Sequence, residues 1–348
     1  MIYRLLGNTG MKVSVIGFGT SLNSTRAAQE LTTQESVKKA FGHGINFFDT
    51  GENYGNGEAE RQLGNALKAL NTSREDYIVS TKLFFGDNRK PIGVNNTGLS
   101  RKHIRDGLKR SLQRLQLDYA DVVFAHRFDH ETTLEEVATT FTELIKQGYI
   151  NYWGTSEWSA ANIFELREVC AEKGLIKPVV EQPQYNMFVR ERFESEYARL
   201  FDVHKMGSTI WSPLCGGILT GKYNDGVVPQ GARFDVFNNR LQRARWESFF
   251  SEQQKQQRTQ TLKGLEDLAK ELGMTQAQLA MAWTIANKDV STAITGCSKP
   301  SQLDEIVESV KHVNKITREV NDRIDKILGN VPDQAINEKN EKQFIRRR

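Results

Sequence analysis

The sequence predicts an α/β protein, a (β/α)8 TIM barrel with an N-terminal β-hairpin and extra helices at the C-terminus. Short apolar runs of β-type composition alternate with amphipathic helical stretches, the pattern of βαβ units and a parallel sheet. Eight such runs occur, nearly all followed by a helix, with no Pro/Ser-rich linker between them. The ends of these runs carry Asp49, Lys82, His126, Ser156, Gln182, Ser212 and Gly296, and a barrel places its chemistry at the C-terminal ends of its strands. An open doubly wound sheet is the competing fold. Gly17-Phe18-Gly19 offers only a G-x-G, with Leu22 where a dinucleotide fingerprint has its third glycine.

Residues 3–14, with Gly7-Asn8-Thr9-Gly10 at their centre, read as a hairpin ahead of the alternation. Strands are then expected over 13–18, 45–48, 77–81, 121–125, 151–154, 179–181, 209–211 and 291–295. Helices are expected over 33–42, 58–70, 101–115 with Ser100 as N-cap, 134–147, and from beyond Ser159. Further helices read at 193–205, 253–272, 275–287 with a Thr275/Gln278 capping box, 301–310 and 317–328. Residues 216–237 form a long irregular connection, which suggests a binding loop or lid. Residues 1–330 are expected as one domain and 331–348 as a polar, disordered tail.

Composition narrows the function classes. Net charge is only +4 and diffuse, the one basic cluster being the terminal Arg346-Arg347-Arg348, so nucleic-acid binding gains no support. No apolar run approaches the roughly 20 residues that span a bilayer, and residues 1–7 lack a signal-peptide pattern. Three scattered cysteines, Cys170, Cys215 and Cys297, fit a reducing, cytoplasmic setting. A metal-dependent hydrolase is disfavoured, because only His126 and His130 are closely spaced, and no metal is expected.

The residues at the strand ends suggest a specific chemistry. Asp49 ends an apolar strand, where an acid is costly unless paired, and Tyr54 follows in a loop. A phenol has a pKa of about 10, and a nearby cation lowers it. Lys82 supplies that cation, Asp49 holds it in place, and His126 can orient a carbonyl oxygen. A tyrosine so placed suits protonation of a carbonyl under reduction, with the hydride supplied by a cofactor. Gly296-Cys297-Ser298-Lys299 precedes a helix, and helix N-termini attract phosphate. Lys299 and Arg233 read equally well as phosphate partners or as ordinary surface charge.

Several stretches resemble the aldo-keto reductase family, over about residues 3–329. They are Phe48-Asp49-Thr50-Gly51-Glu52-Asn53-Tyr54, Ser80-Thr81-Lys82, Gly154-Thr155-Ser156, Trp211-Ser212-Pro213-Leu214, Gly221-Lys222-Tyr223 and Ile294-Thr295-Gly296. Gly98-Leu99-Ser100-Arg101-Lys102-His103-Ile104, Tyr152-Trp153-Gly154-Thr155-Ser156 and Glu181-Gln182-Pro183-Gln184-Tyr185-Asn186-Met187-Phe188 are similar to the branch of voltage-gated potassium channel beta subunits and their plant and microbial relatives.

The resemblance implies reduction of a small carbonyl substrate by NADP(H), with the tetrad Asp49, Tyr54, Lys82 and His126. It implies that Ser156 and Gln182 bond the nicotinamide amide and that Trp211 stacks on its ring. Ser212, Pro213, Leu214 and Lys222 would line the pyrophosphate, with Arg233 as a further phosphate contact. Gly296, Ser298, Lys299, Gln302 and Glu305 would surround the adenosine end, and Thr20 completes the set. The same branch implies an alternative role, a cytoplasmic homo-tetramer docked on a potassium channel alpha subunit and sensing redox state through bound NADP(H). Animal channel subunits carry Asn in place of His126 and Arg in place of Glu157, so the tetrad here is that of the active reductases.

Overall fold

The computed structural model describes residues 1–21, 29–87, 93–236 and 240–333. The opening hairpin is present: β1 (Tyr3–Leu5) pairs antiparallel with β2 (Lys12–Ser14). Eight parallel strands then close into a barrel: β3 (Ile16–Gly19), β4 (Phe47–Asp49), β5 (Ile78–Leu83), β6 (Ala120–Ala125), β7 (Ile150–Thr155), β8 (Val180–Glu181), β9 (Gly207–Trp211) and β10 (Thr292–Thr295). Closure joins β10 to β3, with Ile294 opposite Gly17. The first barrel strand starts later than its apolar run because Val13 and Ser14 are committed to the hairpin.

Helices α1 (Gln29–Gly42), α2 (Glu58–Ala69), α3 (Arg101–Leu115), α4 (Leu134–Lys146) and α5 (Ala160–Glu172) follow β3 to β7 in turn. Ser100, Thr133 and Ser159 start α3, α4 and α5, each side chain accepting from the backbone N–H three residues on. That satisfies one of the donors a helix N-terminus leaves free. The Thr275–Gln278 capping box opens the later helix over Gln276–Ala286 as its sequence predicts.

Two expectations need correction. The helix expected over 193–205 is broken into a π-type turn at Arg192–Glu196 and a short α6 (Ala198–Asp202). Arg192 and Glu196 hold the break, since both are drawn toward the start of α5: Arg192 pairs with Glu157, and Glu196 accepts from the Ala160 N–H at 2.6 Å. The connection after β9 is also less irregular than expected. It holds a 3-10 segment (Cys215–Thr220), α7 (Arg233–Val236) and α8 (Arg240–Phe249), the last unanticipated. Packing of Trp246 against Tyr223, Phe234 and Phe250 orders this region, although its sequence lacks a clear apolar period.

The rest of the ring is α9 (Lys255–Glu271), α10 (Gln276–Ala286), α11 (Ser301–Glu308) and a final α12 (Arg318–Leu328). The tail expected to be disordered lies outside the described residues from position 334 onward. Among the described residues no helix is long and apolar enough to cross a membrane, no group of His, Cys, Asp or Glu is placed to hold a metal, and no cysteine is paired.

The period of two along each strand explains how the barrel carries a polar site above an apolar floor. Phe47, Ile78, Val122, Phe124, Val180 and Ile294 form one buried cluster inside the barrel, and Leu6 and Val13 of the hairpin close it from below. Phe48, Val79 and Val123 face the opposite way, into the layer between strands and helices. Two residues further along, the inward positions become Asp49, Ser80 and Lys82, His126 and Gln182. Gly154 lets β7 approach β8, since a Cβ there would stand 2.3 Å from the Val180 carbonyl.

Candidate active site

Asp49 sits at the centre of the inward-facing polar layer. Lys82 donates to Asp49 Oδ2 at 2.5 Å and to the Thr50 carbonyl at 2.6 Å, while Ser80 donates to Asp49 Oδ1 at 2.7 Å. The pair is dry, the two side chains being 1% and 5% exposed. Tyr54 opens a 3-10 turn over the pair, its ring centroid 4.8 Å from Lys82 Nζ. His126 meets the Tyr54 ring edge-on at 6.0 Å, and Phe85 meets His126 edge-on at 5.1 Å. The strand-end residues Asp49, Lys82 and His126 and the loop residue Tyr54 thus converge at the C-terminal end of the barrel.

Their ionisation follows from burial and this one ion pair. Burial disfavours the charge on Lys82, but Asp49 and Tyr54 outweigh it, so the ammonium is held charged. Burial pushes the Tyr54 phenol up, Lys82 pulls it down, and Asp49 pushes it up again. The net shift is upward, which overturns the expectation that Lys82 lowers it, because burial outweighs the lysine. Burial, then Lys82 and Arg127, drive His126 well below the usual histidine range, so the ring is neutral. Its Nδ1 is buried with no hydrogen-bond partner among the described residues.

The other strand-end residues border this layer. Thr20 donates its backbone N–H to the Asp49 carbonyl at 3.0 Å. Gln182 spends its amide hydrogens within the protein, on Asp49 Oδ1 at 3.2 Å and Thr209 Oγ1 at 3.1 Å. Ser156 donates to the Gln182 carbonyl at 2.9 Å. Trp211, half-buried at the end of β9, donates its indole N–H to Glu157 Oε1 at 2.8 Å. Glu157 also accepts from the Gln184 N–H at 2.6 Å and from Arg192 at 2.8 Å, which fixes the indole plane.

Ser212, Pro213 and Leu214 turn the chain away from β9; Ser212 adopts a φ of +58° and accepts from the Gly216 N–H at 3.0 Å. Lys222 and Arg233 lie in the connection that follows. Neither has a carboxylate partner among the described residues. Burial lowers the pKa of both, Arg233 depresses Lys222 further, and Arg245 does the same to Arg233. Arg233 Nε is buried without an acceptor among the described residues. Unanswered positive charge of this kind suits an anion.

After β10 the geometry is more closed than the sequence suggests. Gly296 follows the strand, but the Gln302 side chain folds back to accept from the Ser298 and Lys299 N–H groups at 2.9 and 3.3 Å. Glu305 turns to Thr275, whose hydroxyl donates to it at 2.7 Å. Both would have to release these contacts to reach a ligand, while Ser298 and Lys299 remain exposed.

Sequence reasoning assigned no role to three buried or half-buried supports. Glu52 Oε1 accepts from the Phe84 and Gly86 N–H groups at 2.7 and 2.8 Å and pairs with His103 at 3.0 Å, anchoring the loop after β5. Its place between Asp49 and Tyr54 was the available signal. Asn186 donates to the Ser212 carbonyl at 3.0 Å, and Glu157 clamps Trp211. These contacts span distant segments, and no local spacing marks them.

Glu181 lies directly behind the site, fully buried between the Thr155 and Tyr197 hydroxyls. Burial raises its pKa to about 8. In the unfolded chain the carboxyl ionises near about 4.3, so between these values the folded state binds more protons. Stability from this group therefore falls as pH rises across that window and levels off above it. Glu181→Gln is expected to flatten the fall, read as denaturant midpoints from about pH 5 to 8; an unchanged slope would assign it to other groups.

Comparison with known proteins agrees with this geometry. The profile of the Aldo/keto reductase family matches residues 15–329. A "Putative voltage-gated potassium channel subunit beta" of Schizosaccharomyces pombe is 43% identical over 335 residues, which is 95% of this chain and 94% of that protein. Proteins called "Probable voltage-gated potassium channel subunit beta" in Arabidopsis thaliana and Oryza sativa subsp. japonica are 40% and 39% identical, each across 95% of this chain and 98% of their own length. With the family profile spanning nearly the whole barrel, this chain belongs to the aldo/keto reductase family.

Proposed function

We propose that the protein is an NADPH-dependent reductase of aldehydes or ketones. The observation that carries this reading is the dry Asp49–Lys82 pair set beneath Tyr54 and His126. In this mechanism Tyr54 is the general acid. Its raised pKa keeps the phenol protonated at neutral pH, the form that can give a proton to a carbonyl oxygen. Lys82 stabilises the phenolate left behind, and Asp49 keeps the ammonium charged and in place. Neutral His126 can donate an N–H to the same oxygen without adding a charge.

The residues present fit a nicotinamide dinucleotide phosphate. Trp211 offers a fixed aromatic face at the mouth, and Lys222 and Arg233 offer positive charge with no carboxylate partner among the described residues. Ser156, Gln182, Ser212, Leu214, Ser298 and Lys299 would complete the contacts, and the extra charge of Lys299 favours the phosphorylated cofactor. When bound, the nicotinamide would supply the hydride. Titration with NADPH is expected to quench Trp211 fluorescence saturably. Lys222→Ala and Arg233→Ala are each expected to weaken binding about tenfold, as loss of a charge-assisted contact does. Absence of quenching in the unaltered protein would defeat the reading.

The names of the relatives carry a second reading, a subunit of a potassium channel. It predicts a fourfold assembly that co-purifies with a channel protein; a monomer with no such partner would tell against it.

A further inference from the structure

One cation of the pocket mouth is not used by the proposed mechanism. Arg127 directly follows His126, and its guanidinium lies 5.8 Å from the centre of the Phe85 ring. Nη1 donates to the His126 carbonyl and, at 3.4 Å, to Ser156 Oγ. No carboxylate answers its charge among the described residues. Acids on the neighbouring segments are committed elsewhere: Asp49 to Lys82, Asp129 to the Leu99 N–H and Thr132, and Glu157 to Arg192 and Trp211. The guanidinium therefore sits between Ser156 and the Phe85 ring that meets His126 edge-on, at the edge of the tetrad. Since Lys82 is neutralised by Asp49, Arg127 leaves this side of the pocket with an uncompensated positive charge.

A half-buried guanidinium with one edge anchored and no counter-ion is suited to a planar oxyanion, which it can hold with two parallel hydrogen bonds. The adjoining wall is aromatic: Phe85 is 38% exposed, large and edge-on to His126. We propose that the site takes aldehydes or ketones that also carry a carboxylate, and that Arg127 is the specificity-determining residue that receives it. This rests on the reductase reading above. In the reaction the carbonyl carbon gains a hydride, its oxygen gains the Tyr54 proton and the C=O π bond breaks. The electron pair comes from NADPH, which is oxidised to NADP+, and the carboxylate is unchanged.

The test compares the carboxybenzaldehyde isomers with their methyl esters, which match them in shape but lack the charge, using full-length protein and NADPH. The favoured acid is expected to exceed its ester about tenfold in kcat/KM. Arg127→Leu is expected to lower the value for the acid about tenfold more than for the ester, mainly through KM, and Arg127→Lys to keep part of the preference. Equal rates for acid and ester would overturn the proposal. So would an equal loss for both in Arg127→Leu, which would mark Arg127 as acting only through its field on Tyr54 and His126. Reduction of the esters without preference for the acids would leave the reductase reading standing and remove only this one. Calorimetric titration of hydroxymethylbenzoate into NADP+-loaded protein reads the same contact without turnover. Binding that Arg127→Leu abolishes supports the proposal, and binding that the variant leaves unchanged contradicts it.

Discussion

Replacing Tyr54 with phenylalanine lowers kcat/KM for aldehyde reduction by about 10²–10⁴-fold, the usual worth of a positioned general acid, and leaves NADPH affinity within about twofold. The separation is expected because the lost hydroxyl acts on the carbonyl oxygen and not on the dinucleotide. Tyr54 is half-buried and its ring is retained, so the fold has little reason to suffer. The reductive rate also carries a sign in its pH dependence. Tyr54 works as the protonated phenol, so activity falls on the alkaline side as it ionises. Steady-state rates across pH with one aldehyde check both points, and a Tyr54→Phe protein with unaltered turnover would remove the tyrosine from its role.

Lys82→Met is the second large effect, and it strikes stability and chemistry together. Both members of the Asp49–Lys82 pair are dry, so deleting the ammonium leaves a buried carboxylate without its counter-ion. Breaking such a pair costs about 3–5 kcal/mol. Ser80 and Gln182 still donate to Asp49 Oδ1 and soften the loss. The double replacement Asp49→Asn with Lys82→Met removes both charges and is expected to recover most of the stability while remaining inactive. Lys82 pulls the Tyr54 phenol downward, so in Lys82→Met the residual activity keeps its protonated acid to higher pH and the alkaline limb moves up. Denaturant melts of the single and double variants, with pH profiles of the residual rate, test these outcomes. A single variant as stable as the parent would deny the pair its structural weight.

The barrel was legible because its signals are local and repeated. The strand-end residues Asp49, Lys82 and His126 could be read in register because β4, β5 and β6 each alternate strictly between the apolar plug and the outer layer. The hairpin, the Ser100 cap and the Thr275 capping box were legible for the same reason, as short motifs with a backbone consequence. What escaped reading depends on contacts between distant segments. The break at Arg192–Glu196 comes from ion pairs and caps to Glu157 and Ala160, more than thirty positions away. Helix α8 is held by aromatic packing against Tyr223 and Phe234, which its own composition does not announce. The ionisation of Tyr54 was only half legible, since the pull of Lys82 follows from chemistry but the larger effect of burial needs the fold. Gln302 and Glu305 show the converse: their positions suited a ligand, yet their side chains are turned to Ser298, Lys299 and Thr275.

The central claim is that Asp49, Lys82, Tyr54 and His126 form a working acid beside a bound nicotinamide. A single-turnover experiment tests it most directly: protein loaded with one equivalent of NADPH is mixed rapidly with excess aldehyde, and the nicotinamide absorbance is followed. A decay is expected that yields one alcohol for each NADPH consumed and that slows by orders of magnitude in Tyr54→Phe. An absorbance that stays constant while NADPH remains bound would contradict it, and would leave a protein that holds the cofactor without using it for turnover.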